Sequence, residues 1–181
     1  RYGGPEVIEI NQNTPNPSAG VGQVLVDVYA ASLNPFDMNL RIGYMKKMIP
    51  LKFPVIIGGD LSGVISEIGE GVLDFKVGDE VYGQSLIVNG GSGALAELTS
   101  AKVANASYKP KNITHIKAAS LPLVGSSVIQ VLEEHIKLKS GDKILIHGGS
   151  GGIGSIAIQL AKSKGAYVVT TVGTENMEFA K

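Results

Sequence analysis

Five of the seven residues from position 148 to 154 are glycine (Gly148-Gly149-Ser150-Gly151-Gly152-Ile153-Gly154), and no other stretch restricts the accessible folds so strongly. A β-branched and apolar run, Lys143 to His147, leads into them. Beyond them Ile153, Ile156, Ala157, Leu160 and Ala161 recur on one helical face, and Lys162, Lys164 and Gly165 supply a cationic last turn and a stop. Ala166 to Val172 reads as a second strand. Strand, glycine turn, helix and strand within about 30 residues form a βαβ unit, whose two strands lie parallel.

Gly149, Gly151 and Gly154 satisfy G-x-G-x-x-G, a pattern that is weak alone and gains its meaning from the strand before it and the helix after it. The first glycine permits a tight turn, the second lets backbone amides approach a pyrophosphate, and the third lets helix and strand pack closely. The helix N-terminus adds its partial positive charge. A purely structural turn is the alternative. An NAD site usually carries Asp or Glu at the end of the second strand to accept from the ribose 2′-OH. Here that strand ends Thr170-Thr171-Val172-Gly173-Thr174 without a carboxylate, and Glu175 comes just after. Thr174 and Lys181 are candidates for contact with a 2′-phosphate, so NADPH is expected in preference to NADH; a surface lysine near the chain end explains Lys181 equally well.

The rest of the chain has a different texture. Short β-type runs alternate with turn signals over the first hundred residues: Gln23 to Leu33, Gly63 to Gly69, Asp79 to Gly83 and Ala94 to Ala101. A short helical piece is expected around Phe36 to Arg41, opened by Asn34-Pro35. From about Thr114 to Ala118 the pattern becomes α/β, with Val128, Val131, Leu132 and Ile136 at helical spacing behind Ser126 as N-cap. The division is set at residues 1–116 and 117–181.

Composition excludes several function classes. Sixteen Lys and Arg balance sixteen Asp and Glu, and no basic block offers a footprint for nucleic acid. Cysteine is absent, which removes disulfides, thiolate nucleophiles and sulfur-ligated zinc. No apolar run approaches the ~18 residues of a membrane span. A cytoplasmic location is expected, or an organellar one if an N-terminal transit peptide preceded Arg1. His115, His135 and His147 lack ligand spacing and are read as structural.

Five stretches, taken in order, give the chain a family likeness: Tyr2 to Ile10, Ala30 to Gly43, Gly58 to Gly83, Ala118 to Leu132 and Ile144 to Lys162. With them the sequence resembles the medium-chain dehydrogenase/reductase superfamily, in its zinc-independent, zeta-crystallin-like quinone oxidoreductase branch. The resemblance implies an α/β plus β chain: a GroES-like β-rich domain followed by the start of a Rossmann parallel-sheet domain, with NADPH held in the cleft between them. It implies an oxidoreductase that transfers hydride from NADPH to a quinone or an α,β-unsaturated carbonyl. An enoyl-thioester reductase, or a catalytically idle binding member, is the alternative.

Site residues follow from the same resemblance. Asn34 and Tyr44 lie where the family lines its nicotinamide and substrate pocket, and either can hydrogen-bond a substrate carbonyl. Ser127 stands where the family has a threonine that approaches the nicotinamide. Gly152 and Ile153 are expected to offer backbone N–H groups to the pyrophosphate, beside Gly149, Gly151 and Gly154. Zinc-dependent relatives hold their metal through Cys and His at positions that here are Asn34 and Gly59, with Asp60 in place of the glutamate that follows, so no catalytic zinc is expected. Asp37, Arg41 and Asp60 are assigned to a polar network. Family members are longer, so the chain is expected to be a truncated part of a larger, homodimeric enzyme.

Overall fold

A computed structural model describes residues 1–180, and the chain divides into two compact units, Arg1–Pro122 and Leu123–Lys181. In the first unit an antiparallel sheet is built from β1 (Gln23–Ser32), β2 (Asp60–Ile68), β3 (Glu80–Gln84), β4 (Leu98–Lys102) and β5 (Ala106–Tyr108), in the spatial order β4-β1-β2-β3-β5. The two central strands bury a run of residues at one end: Val24, Leu25 and Val26 of β1, and Asp60 to Gly63 of β2. Val24, Val26, Leu61, Ile65 and Val81 form the centre of an apolar core that Val72, Ala94 and Ala101 complete.

The core's border with β4 is polar. Ser85 and Thr99 are both 0% exposed, and their hydroxyls lie 2.7 Å apart. Ser85 Oγ donates to the Ser100 carbonyl at 2.7 Å, which leaves Thr99 to donate to Ser85 and Ser92 to donate to Thr99 at 3.0 Å. The chain of donors is completed by the Ser100 amide, which donates to Ser92 Oγ at 2.8 Å. Each hydroxyl gives one hydrogen and accepts at least one, so burial leaves none unsatisfied.

Helix α1 (Pro35–Ile42) forms where Asn34-Pro35 foretold it, with Pro35 at the first helical position and Gly43 closing the helix at φ 77°. A second helix, α2 (His115–Ala119), escapes the sequence reading; Thr114 caps it and it packs on β1, β2 and β3. Its His115 puts Nδ1 2.8 Å from Ser62 Oγ and Nε2 3.3 Å from Glu80 Oε1, while Lys109 Nζ reaches Glu80 Oε2 at 3.1 Å. The Lys109 ammonium beside Glu80 holds that carboxyl below its ordinary range. The strand expected from Ala94 to Ala101 starts only at Leu98, because the chain from Gly93 to Leu95 instead hydrogen-bonds to Ser85, Gly58 and Ile57 in a loop crossing.

In the second unit α3 (Pro122–Ile129) runs into a π-helical turn, Gln130–His135. Ser126 is therefore not an N-cap: it sits inside the helix, and its hydroxyl donates back to the Leu123 carbonyl at 3.1 Å. Strands β6 (Lys143–His147) and β7 (Tyr167–Thr171) pair in parallel and are joined through α4 (Gly152–Ser163). Ala157 and Ala161 of α4 are buried with Val128, Leu132, Leu138 and Ala166, and Ile144, Ile146 and Val168 pack against them. Ile153, expected on this face, is 56% exposed. The chain ends its described part in a 3-10 turn, Thr174–Asn176, and α5 (Met177–Ala180).

Candidate functional site

The glycine loop is tied at its start to the end of β7. Gly148 and Gly149 both donate their amides to the Thr171 carbonyl at 3.0 Å, and Thr171 Oγ1 lies 3.0 Å from His147 Nδ1. His147 is thus satisfied at the strand end. The tight turn belongs to Gly148, whose φ is 71°, and not to Gly149 as the motif would place it. Gly149 is needed for packing: a Cβ there would stand against Thr170 Oγ1 and, at 2.8 Å, Ile158 Cδ1. Gly154 is likewise demanded by the fold, since a Cβ on it would run into the Gly148 carbonyl, with Gly149 Cα at 3.0 Å. The Gly148, Thr170 and Thr171 contributions were missed in the sequence; a Gly-Gly pair facing a Thr-Thr pair at two strand ends was the available signal.

Gly151 and Gly152 are different. A Cβ on Gly151 meets only the Gly148 carbonyl oxygen, at 3.3 Å, and one on Gly152 only Val124 Cγ1, at 3.5 Å. Neither has a positive φ. A Cβ on Gly152 would make an ordinary contact, and one on Gly151 would need the Gly148 carbonyl to give by a few tenths of an ångström, far less than at Gly149 or Gly154; both residues are exposed, at the start of a 12-residue helix whose N-cap, Gly151, has no side chain to cap it. A helix N-terminus leaves its first amides without intrahelical acceptors, and here an approaching anion meets no side chain. These residues fit a bound pyrophosphate, with Gly152 and Ile153 nearest to hand as amide donors. Ser127, one turn along α3 from Val124, donates its hydroxyl to the Leu123 carbonyl at 2.8 Å and keeps its lone pairs. Thr174 opens the turn beyond β7 and is exposed. Lys181 lies outside the described residues.

In the first unit, Asn34, Asp37 and Asp60 come together, each buried. Asp37 occupies the third position of α1 and its carboxylate accepts from the Asn34 amide at 2.8 Å, the return half of a capping box. With its own amide satisfied by Asp37, Asn34 turns its side chain to Asp60, donating from Nδ2 to Oδ2 at 3.0 Å; Gln84 Nε2 donates to Oδ1 at 2.9 Å. Burial pushes the Asp37 carboxyl up, the neighbouring charge of Asp60 adds to this, and the Asn34 amide opposes it. Arg41 does not join: it makes no ion pair among the described residues, and its carbonyl accepts from Gly3. Nor does Tyr44, which is 81% exposed with no side-chain hydrogen bond among the described residues.

The donor set around Asn34 is an amide and two carboxylates, with a glycine at 59 whose absent side chain faces Leu86. It has neither the sulfur nor the imidazole of a tetrahedral zinc site. Among the described residues no three His, Cys, Asp or Glu side chains gather as a metal site, and no helix is long and apolar enough to cross a membrane.

The chain can be set beside known proteins on this footing. Residues 20–111 match the family described as the alcohol dehydrogenase GroES-like domain. Over 99% of its length the chain is 36% identical to the chloroplast envelope quinone oxidoreductase homolog of Arabidopsis thaliana, covering 56% of that protein. It is 37% identical, again over 99%, to the NADPH-dependent alkenal/one oxidoreductase, chloroplastic, of the same plant, covering 48% of it. Among solved structures, the quinone oxidoreductase of Coxiella burnetii superposes with a TM-score of 0.88 at 36% identity, covering 99% of this chain and 56% of that one. The Escherichia coli quinone oxidoreductase complexed with NADPH gives a TM-score of 0.86 at 30% identity, covering 99% of this chain and 53% of the other. The chain thus spans about half the length of the relatives it matches. With a GroES-like β domain and the opening βαβ unit of a Rossmann domain in the order those relatives share, the chain belongs to the medium-chain dehydrogenase/reductase superfamily.

Proposed function

We propose that the protein is an NADPH-dependent, zinc-independent reductase of quinones or α,β-unsaturated carbonyls, with residues 1–116 as the catalytic half and 117–181 as the opening of the nucleotide half. The observation that carries the reading is the exposed pair Gly151-Gly152 at an uncapped helix N-terminus, where Gly152 has room for a side chain that the sequence withholds. Relatives named for quinone and for alkenal/one reduction, and a neighbour holding NADPH, support the substrate class and the cofactor. Their chloroplastic names support an organellar address beside the cytoplasmic one. The full-length protein is read as a homodimer.

NADPH supplies a hydride when bound. The chain's own residues then have distinct tasks. The amides of Gly152 and Ile153 hold the pyrophosphate against the α4 N-terminus, and Gly149 and Gly154 keep loop and helix close enough for those amides to align. Thr174, and Lys181 by its place in the sequence, are assigned to the 2′-phosphate. Ser127 offers hydroxyl lone pairs on α3. A side-chain amide nitrogen carries two hydrogens, and Asn34 spends one on Asp60, so the second is free to donate to a substrate oxygen as negative charge grows there. Asp60 fixes the orientation of that donor. Tyr44, 81% exposed, is assigned as a second donor.

The test is turnover by the full-length protein. Saturated with NADPH and offered a panel of quinones and enones, it is expected to oxidise the cofactor with at least one of them. No oxidation with any would leave a binding protein and sink the enzymatic reading.

A further inference from the structure

The loop between β3 and β4 carries the one Asn-Gly pair in the sequence, Asn89-Gly90. A 3-10 turn, Ile87–Asn89, ends on the asparagine, and Gly90 follows at φ 83°. Both residues are exposed, and among the described residues the Asn89 side-chain amide makes no hydrogen bond. The backbone amide of Gly90 is held loosely, its bond to the Ile87 carbonyl stretched to 3.4 Å. A cation lies over it. An ideal Cβ at Gly90 would stand 2.9 Å from Lys102 Cε and 3.4 Å from Lys102 Nζ, so the lysine borders the space that a side chain at 90 would fill. Among the described residues that ammonium has no ion pair.

We propose that Asn89 is a site of spontaneous deamidation and that Lys102 assists the step. An asparagine side chain is open to attack by the amide nitrogen of the next residue, and in most sequences the following side chain screens that nitrogen. Glycine leaves it bare. The Gly90 nitrogen bonds to Asn89 Cγ, the Cγ–Nδ2 bond breaks, and the proton lost by the attacking nitrogen passes through solvent to the departing one, which leaves as ammonia. Water then opens the five-membered imide. Breaking its bond to Cγ restores the ordinary backbone with aspartate at 89; breaking its bond to the backbone carbonyl carbon leaves isoaspartate, with the chain running through Cγ. Negative charge grows first on the Gly90 nitrogen and then on the oxygen of the tetrahedral intermediate, and an ammonium a few ångströms away stabilises both. Neither cofactor nor substrate takes part.

The two products differ in what they do to the loop. The Gly90 carbonyl accepts from Gln23 Nε2 at 2.8 Å, the Gly91 amide donates to the Leu86 carbonyl at 2.9 Å, and a Cβ at Gly91 would stand 2.6 Å from Ser85 Cα. A loop pinned this closely has no slack for the extra backbone carbon of isoaspartate. Aspartate keeps the backbone as it is and gains Lys102 as a partner.

The full-length protein, as wild type, K102R and K102Q, is aged at mildly alkaline pH, and peptide mass spectrometry follows aspartate and isoaspartate at each asparagine. Asn89 is expected to convert faster than Asn13, which is also exposed but is followed by the branched Thr14. K102R should keep the Asn89 rate and K102Q should slow it about tenfold, the effect of one charge a few ångströms away, with the Asn13 rate equal in all three proteins. The isoaspartate fraction should melt below fresh protein, and N89D with it. Conversion at Asn89 no faster than at Asn13 would overturn the site. Equal Asn89 rates in wild type and K102Q would overturn the part given to Lys102.

Discussion

Alanine at Gly151 and alanine at Gly154 are expected to fail in opposite ways, although the two residues belong to one motif. At Gly154 the new methyl would enter the Gly148 carbonyl, with Gly148 C at 2.9 Å and Gly149 Cα at 3.0 Å. All three are backbone atoms, so no side chain can rotate away. Overpacking of this kind costs about 1–3 kcal/mol, offset by at most ~1 kcal/mol from the better helix propensity of alanine. A net loss of about 1–2 kcal/mol lowers the melting temperature by roughly 2–8 °C in a protein of this size. At Gly151 the only neighbour is the Gly148 oxygen at 3.3 Å, and the weaker N-cap costs under about 1 kcal/mol. The Gly148 carbonyl need give only a few tenths of an ångström, so the loss of stability should be smaller than in G154A, while the methyl stands where the pyrophosphate must approach, and NADPH affinity should fall tenfold or more, about 1.4 kcal/mol. Thermal melts with and without NADPH, and cofactor titration by fluorescence, separate the two. A G151A protein that bound NADPH like the wild type would falsify the cradle; a G154A protein with an unchanged melt would refute the packing account.

Other expectations follow from the first unit. Leu61, 2% exposed in the sheet core, should cost about 2–5 kcal/mol as L61A, read as a shift in denaturant midpoint at constant slope. N34A should lower kcat with quinones by about a hundredfold, as loss of one preorganised donor does, with the affinity for 2′,5′-ADP as the control that stays in place. Asp37 has its carboxyl raised by burial, so in the folded state it binds a proton that the unfolded chain has already released. Its contribution is fully present below the ordinary carboxylate range and is lost as pH rises through the folded value. D37N, neutral throughout and still able to accept from Asn34, should flatten that fall; denaturation midpoints across the acidic to neutral range that showed the same pH dependence in both proteins would exclude it.

The sequence made the βαβ unit legible because every signal there is local: apolar alternation in two strands, one helical stripe, and glycine where the chain must turn. Asn34-Pro35 marked α1 for the same reason. What it hid depends on contacts made at a distance. β5 is three residues whose pairing to β3 has no periodicity to show. Ser126 looked like a cap because the helix around it starts earlier, at Pro122, and continues into a π turn that no helical spacing announces. In the site, the glycines needed for packing, Gly149 and Gly154, and the open Gly152 look alike in sequence and differ only in what surrounds them in the fold. The pairing of Asn34 with Asp60 joins residues 26 positions apart and could be placed only as a family trait, while Arg41, its neighbour in sequence, turned out to stand elsewhere.

The buried hydroxyl chain from Ser92 through Thr99 and Ser85 to the Ser100 carbonyl has a directional order, each group giving its hydrogen to the next. Such a chain can be read in only one alignment. Moving β4 by two residues against the rest of the sheet would keep the same faces inward but leave the buried hydroxyls of Ser85 and Thr99 stranded away from water, at about 1–3 kcal/mol for each. Apolar neighbours would have forgiven that slip. The serines and the threonine therefore act as a key that admits a single register, and in drift over time they should be exchanged together or not at all.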